Sequence, residues 1–90
     1  MKKRKTAIKR KLIFDNIGLK SFALQLKKVR GEQGLTQEQL AFESGIVLSQ
    51  IARIETARIN PTLSTIFALA RTLEVPIASL FDFELPAKKP

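Results

Sequence analysis

The chain contains no cysteine, no histidine, no tryptophan and no tyrosine. The first two absences together remove disulfides, thiolate and imidazole metal ligands, thiol nucleophiles and imidazole base catalysis. With six phenylalanines as the whole aromatic complement, the core must be aliphatic, which suits short helices packed closely. No apolar run approaches the ~20 residues needed to span a bilayer. The opening, MKKRKTAIKRKLIF, has the charge of a signal peptide but neither its apolar stretch nor its cleavage site. A cytoplasmic protein away from the membrane is therefore expected. Glycine-rich phosphate loops, metal-ligand clusters and nucleophile elbows are also missing, and the eight acidic residues are scattered. The expectation is a protein that is not an enzyme and carries no metal or cofactor.

What remains is a small, soluble, strongly basic chain. Ninety residues, 44% hydrophobic and 27% charged, are enough for one globular domain and too few for two. The net charge of +8 is unevenly placed. Lys2, Lys3, Arg4, Lys5, Lys9, Arg10 and Lys11 precede the first acid, whereas nine bases and eight acids follow from Leu12 onward. The basicity is thus an N-terminal arm on a nearly neutral body. Such an arm suits a polyanion, most often nucleic acid, although a solvated tail that aids solubility is the alternative.

Residues 12–19, LIFDNIGL, read as an apolar connector broken by Asn16 and Gly18, with Leu12, Ile13, Phe14 and Ile17 packing on the domain or on a second copy. Helical spacing begins at Ser21, with Phe22, Leu26, Val29 and Gln33 on one face and Lys27, Lys28 and Glu32 on the other. Gly34 ends this helix. Thr36 and Gln39 form a capping box for a short second helix that stops at Ser44 and Gly45. A third helix is predicted over residues 48–56, with Ile51 and Ile54 inward. Thr62 caps a fourth, whose apolar face is Leu63, Ile66, Phe67, Ala70 and Leu73. A fifth starts at Pro76 and carries Ile77, Leu80 and Phe81. No segment alternates as a strand does, and no repeat is visible. The predicted organisation is an arm and connector over 1–19, an all-α domain over 20–84 and a short tail over 85–90.

The informative stretch is LTQEQLAFESGIVLSQIARIE, residues 35–55. Two helices are joined by a turn at Gly45, which tolerates the positive φ of a tight interhelical bend. Ala41 is small where the helices must approach, and Leu40, Ile46, Ile51 and Ile54 supply a shared apolar side. Such a bihelical unit holds its second helix proud of the surface, free to enter a groove.

In this stretch and its flanks the chain resembles the Cro/repressor-type, Xre-like helix-turn-helix regulators. The resemblance covers residues 22–81 and rests on Arg30 in KKVR, then GLTQEQLA, SGI, IARIE, NPTLSTIFALARTLEVP and IASLF, in order. Within the family it is similar to restriction–modification controllers and to small phage-type and antitoxin-type repressors. The resemblance implies a compact five-helix, lambda-repressor-like domain and a sequence-specific regulator of double-stranded DNA, a repressor or autoregulator. It further implies that Leu48, Ser49, Gln50 and Arg53 face the major groove. Their chemistry agrees, since Gln suits an adenine edge, Arg suits guanine or phosphate, and Leu suits a thymine methyl. Gln37, Arg58 and Asn60 would meet phosphates. Arg30 and Glu55 would form a partly buried ion pair that orients the recognition helix.

Two positions depart from the family pattern. Val47 stands where Ser or Thr usually caps the recognition helix. Ala57 replaces the usual Gly, so either Ala57 is strained in a left-handed turn or the loop follows another path. The basic arm is an addition that would follow phosphates or enter the minor groove. Outside the motif, Gln37 and Gln50 read as ordinary solvated residues, and Arg53 as a surface partner of Glu43. The competing function is a protein-interaction module, such as an antitoxin or coactivator, with a toxin or RNA polymerase as partner. A homodimer is expected, through Leu80, Phe81 and Phe83 or through residues 12–17, with the C-terminal helix preferred.

Overall fold

The computed structural model describes residues 13–87. Among them are four α-helices, one 3-10 helix and no strand: α1 (Asn16–Glu32), α2 (Gln37–Ser44), α3 (Leu48–Glu55), α4 (Leu63–Leu73) and the 3-10 helix Ile77–Phe81. The seven basic arm residues from Lys2 to Lys11, with Leu12, lie outside the described residues.

The first helix starts five residues before the predicted Ser21. Asp15 caps it, one carboxylate oxygen accepting the Gly18 N–H at 2.9 Å. Gly18, which reads as a breaker, makes room for this cap: a Cβ there would lie 2.8 Å from the other Asp15 oxygen. A satisfied helix start thus outweighs the poor propensities of Asn16 and Gly18. The connector residues do not enter the core: Ile13, Phe14 and Ile17 stay substantially exposed. At the other end Gly34, at φ 74°, terminates the helix.

Phe22, Leu26 and Val29 line the buried face of α1, as their spacing predicts, while Gln33 is exposed. They join Leu40 and Ala41 of α2, Ile51 and Ile54 of α3, and Ile66, Leu69, Ala70 and Leu73 of α4. The largest fully buried side chains are all Leu or Ile. The buried stripe of α4 is rotated toward Leu69 relative to the predicted one, leaving Leu63 and Phe67 at the surface. This helix ends without glycine: Glu74 takes φ 57°, and the Val75 N–H returns to the Ala70 carbonyl at 3.2 Å.

The predicted last helix is a single 3-10 segment. Leu80 is its one buried residue, wholly enclosed in the core. Leu80 therefore has no surface to offer a second copy, which removes it from the predicted dimer contacts. Phe81 stays 42% exposed, with its ring 5.3 Å from that of Phe22. The Gln25 side-chain amide donates to the Ser79 carbonyl at 2.8 Å, tying this segment to α1. No helix among the described residues is long and apolar enough to cross a membrane.

Candidate nucleic-acid interface

α2 and α3 form a unit whose ends are set by local chemistry. The Thr36 hydroxyl accepts the Gln39 N–H at 3.0 Å, and the Gln39 side chain accepts the Thr36 N–H at 2.8 Å. At the far end Gly45 takes φ 78°, a conformation that costs a residue with a Cβ about 1 kcal/mol or more. The Ser44 hydroxyl accepts the Ile46 N–H at 3.2 Å and closes the turn.

α3 then starts with no side chain capping it, because Val47 at the N-cap has no acceptor. Its Ile51 and Ile54 are buried against α1 and α2, which turns the opposite side to solvent. Ser49 and Arg53 are fully on that side, and Leu48 is 42% exposed at its edge. Gln50 is half-buried on the other edge. The stripe also contains Ala52 and Thr56, which the motif does not single out. The Thr56 hydroxyl is spent on the Ala52 carbonyl at 2.8 Å, whereas Ala52 offers a methyl in the middle of the face.

The orientation of α3 is fixed at its last residue. Glu55 is 3% exposed, and its carboxylate accepts three hydrogen bonds: Arg30 Nε at 2.6 Å, Arg30 Nη2 at 2.9 Å and Gln37 Nε2 at 2.9 Å. Arg30 Nη1 also donates to the Leu35 carbonyl at 2.9 Å, in the loop leading to α2. The bidentate fork thus joins the end of α1, the start of α2 and the end of α3. The hydrogen bond to Glu55 is the main reason that the Arg30 guanidinium holds its proton more tightly than usual.

Gln37, read from sequence as a phosphate contact, has one amide N–H committed to this network, with the second N–H and the carbonyl oxygen unassigned. Eighteen residues separate it from Glu55, so no local spacing announces the contact. Arg58 and Asn60 are exposed in the loop that follows α3. The Arg58 N–H caps that helix through the Arg53 carbonyl at 2.8 Å. Ala57 has φ 58°, so of the two paths open to this loop the chain takes the strained left-handed one. Arg53 makes no ion pair with Glu43; among the described residues the salt bridge is Arg30–Glu55. The same residues contain no acid cluster able to hold a metal ion.

The arrangement has close relatives. Residues 26–80 match the model of the Helix-turn-helix family. The immunity repressor protein of Bacillus phage phi105 is 37% identical over 65 residues, covering 72% of this chain but 45% of the repressor. The chain thus spans less than half of that relative's length. Among solved structures, the restriction-modification controller protein C.AhdI from Aeromonas hydrophila is 36% identical with a TM-score of 0.68. That match covers 70% of this chain and 96% of the controller. The controller C.Esp1396I, as a tetramer in complex with its natural 35 base-pair operator, is 31% identical with a TM-score of 0.69. It covers 76% of this chain and 90% of its own. With more than half its length matched, the chain belongs to the Xre-like helix-turn-helix family, a family of transcriptional regulators rather than enzymes.

Proposed function

We propose that this protein is a sequence-specific regulator of transcription that binds double-stranded DNA and acts as a repressor or autoregulator. α3 enters the major groove, where Leu48, Ser49, Gln50 and Arg53 read base edges. Gln37, Arg58 and Asn60 grip phosphates beside it, and the arm residues Lys2, Lys3, Arg4, Lys5, Lys9, Arg10 and Lys11 add sequence-independent affinity. The observation that carries this reading is the anchoring of α3. Its inner face is buried in the core and its last residue is locked to Arg30, while its outer face leaves Ser49 and Arg53 exposed to solvent. A helix held rigidly with nothing on one side is built to be read against a partner.

The body offers few cations near α3, chiefly Arg53 and Arg58, so reading and gripping are divided between the helix and the arm. A single recognition helix spans only a few base pairs, and a two-fold dimer on half-sites about one turn (~34 Å) apart supplies the rest. C.Esp1396I meets its operator as a tetramer, which supports assembly here as well. The partly exposed Phe81 and Phe83 of the C-terminal segment are the proposed dimer contacts. A protein partner, a toxin or RNA polymerase, is the second reading. It is favoured by Phe42, 88% exposed on α2 between Glu38 and Glu43.

The test is binding to duplex DNA from the protein's own upstream region, against a scrambled duplex, as a function of salt. Deleting residues 1–11 should weaken both duplexes alike and flatten the log–log salt slope by about 0.9 for each phosphate that the arm neutralises. Gln50→Ala with Arg53→Ala should abolish the preference for the upstream duplex and leave most of the salt slope. Equal, weak binding of all variants to both duplexes would refute the proposal.

A further inference from the structure

The outer side of α1, opposite its buried stripe, carries Lys20, Leu24, Lys27 and Lys28, all of them exposed. Leu24 is 66% exposed, and the three lysines stand three or four residues from it, so they flank it on one helix face. The first acid within α1, Glu32, lies two turns beyond Leu24. α2 presents a similar face with the sign reversed. Phe42 is exposed there, with Glu38 one turn before it on the same ridge and Glu43 exposed next to it in sequence. Packing uses neither face: α2 packs on α3 and α4, and α1 on α3 and the 3-10 helix. The salt bridge among the described residues is Arg30–Glu55, so none of these five charges takes part in it.

We propose that the α1 face of one copy docks on the α2 face of a second copy, Leu24 against Phe42, with Lys20, Lys27 and Lys28 opposite Glu38 and Glu43. A lone exposed apolar side chain carries no message; what singles these two out is the charge around each. Charges of one sign keep either face from pairing with itself and select a face of the opposite sign, which steers the encounter and sets its register. A different protein at Phe42, the second reading above, needs a basic face from elsewhere, whereas this chain already carries one on α1. The two faces differ, so the contact is heterologous. It uses neither Phe81 nor Phe83 and is additional to the dimer contact proposed above. Exposed ion pairs contribute little each and the apolar centre is two side chains, so the dissociation constant is roughly 0.1–1 mM. A contact of that strength matters where copies are held close together, as they are on one duplex under the DNA-binding reading. The contact itself does not rest on that reading.

The experiment is amide NMR on the full chain, diluted from about 1 mM to about 0.02 mM, a range that brackets the expected constant. Concentration-dependent shifts should fall on residues 20–28 and 38–43 together. They should collapse between about 0.1 and 1 M salt, as the screening length shrinks from about 10 to about 3 Å. Lys20→Glu/Lys27→Glu/Lys28→Glu, and separately Glu38→Lys/Glu43→Lys, should each abolish them, because each makes both faces of a copy alike in sign. Mixed one-to-one, the two variants should associate again at the same residues, although both remain net positive. Leu24→Ala and Phe42→Ala change only exposed side chains; each should weaken association about three- to tenfold with unchanged circular dichroism, and they decide the matter should a charge-reversed variant not fold. Absence of shifts at the two faces up to the highest concentration overturns the proposal, as does failure of the mixed variants to associate. Shifts at 38–43 that survive reversal of the α1 lysines but vanish on deletion of residues 1–11 make the arm the occupant of α2, and also overturn it.

Discussion

Replacing Arg30 by methionine tests the anchor of the recognition helix most sharply. The Glu55 carboxylate has a fully buried side chain and takes two of its three hydrogen bonds from Arg30. Arg30→Met leaves that charge with one neutral donor, at the negative end of α3, where a carboxylate is already unfavourable. Stranding one member of a buried pair costs about 3–5 kcal/mol. A domain of this size has only about 5–13 kcal/mol of stability in total, so the variant loses a large share of it. The melting temperature should fall by about 12–40 °C, followed by circular dichroism, with a matching loss in urea unfolding. Glu55→Leu should cost less, about 1–3 kcal/mol, because Arg30 is 16% exposed, can turn to water and keeps its bond to the Leu35 carbonyl. The double variant Arg30→Met/Glu55→Leu removes both charges and should recover most of the Arg30→Met loss, so that the two single costs are strongly non-additive. Should Arg30→Met cost under about 1 kcal/mol, or the double variant be no more stable than Arg30→Met alone, the pair is not the anchor described here.

Ala57→Gly should stabilise the domain by about 0.5–1 kcal/mol, since φ 58° strains a Cβ that glycine lacks; Glu74→Gly, at φ 57°, should do the same, and both gains are readable in urea midpoints. Thr36→Ala removes the hydroxyl half of the capping box and should cost about 1 kcal/mol, with faster amide exchange at Gln39 as its local signature. Val47→Thr gives α3 a side-chain acceptor and should add about 0.5–1 kcal/mol; no gain would mean that the N-cap geometry of φ −62° and ψ 146° does not present the hydroxyl to the helix.

How much of the fold is legible in the sequence varies with the range of the interaction. The capping box at Thr36, the glycine turns at 34 and 45 and the aliphatic core of α1 to α3 depend on spacings of three or four residues, and they form where that spacing predicts. The start of α1 is hidden because Asn16 and Gly18 look like breakers until Asp15 is seen to cap over them. The rotation of α4 is hidden because Leu63, Ile66, Phe67 and Leu69 make several stripes equally apolar; packing against α2 and the 3-10 helix selects among them. For the candidate interface, the motif places Ser49 and Arg53 on the open side, but nothing local shows that Gln37 is tied to Glu55.

That tie bears on how the interface works. Gln37 opens α2, Arg30 closes α1 and Glu55 closes α3, so three helix ends meet at one carboxylate. A phosphate held by Gln37 would therefore be registered against the same point that fixes the angle of α3. A fixed distance between backbone grip and base-reading face is what converts a non-specific hold into a register on the duplex. On the proposed function, Ser49 and Arg53 would supply the chemistry of recognition, and the accuracy with which they meet a base edge would depend on a residue that touches no DNA. Substitutions at Glu55 that leave the fold intact should consequently lower discrimination between operators more than they lower affinity for DNA at large, a difference visible only when specific and scrambled duplexes are measured side by side.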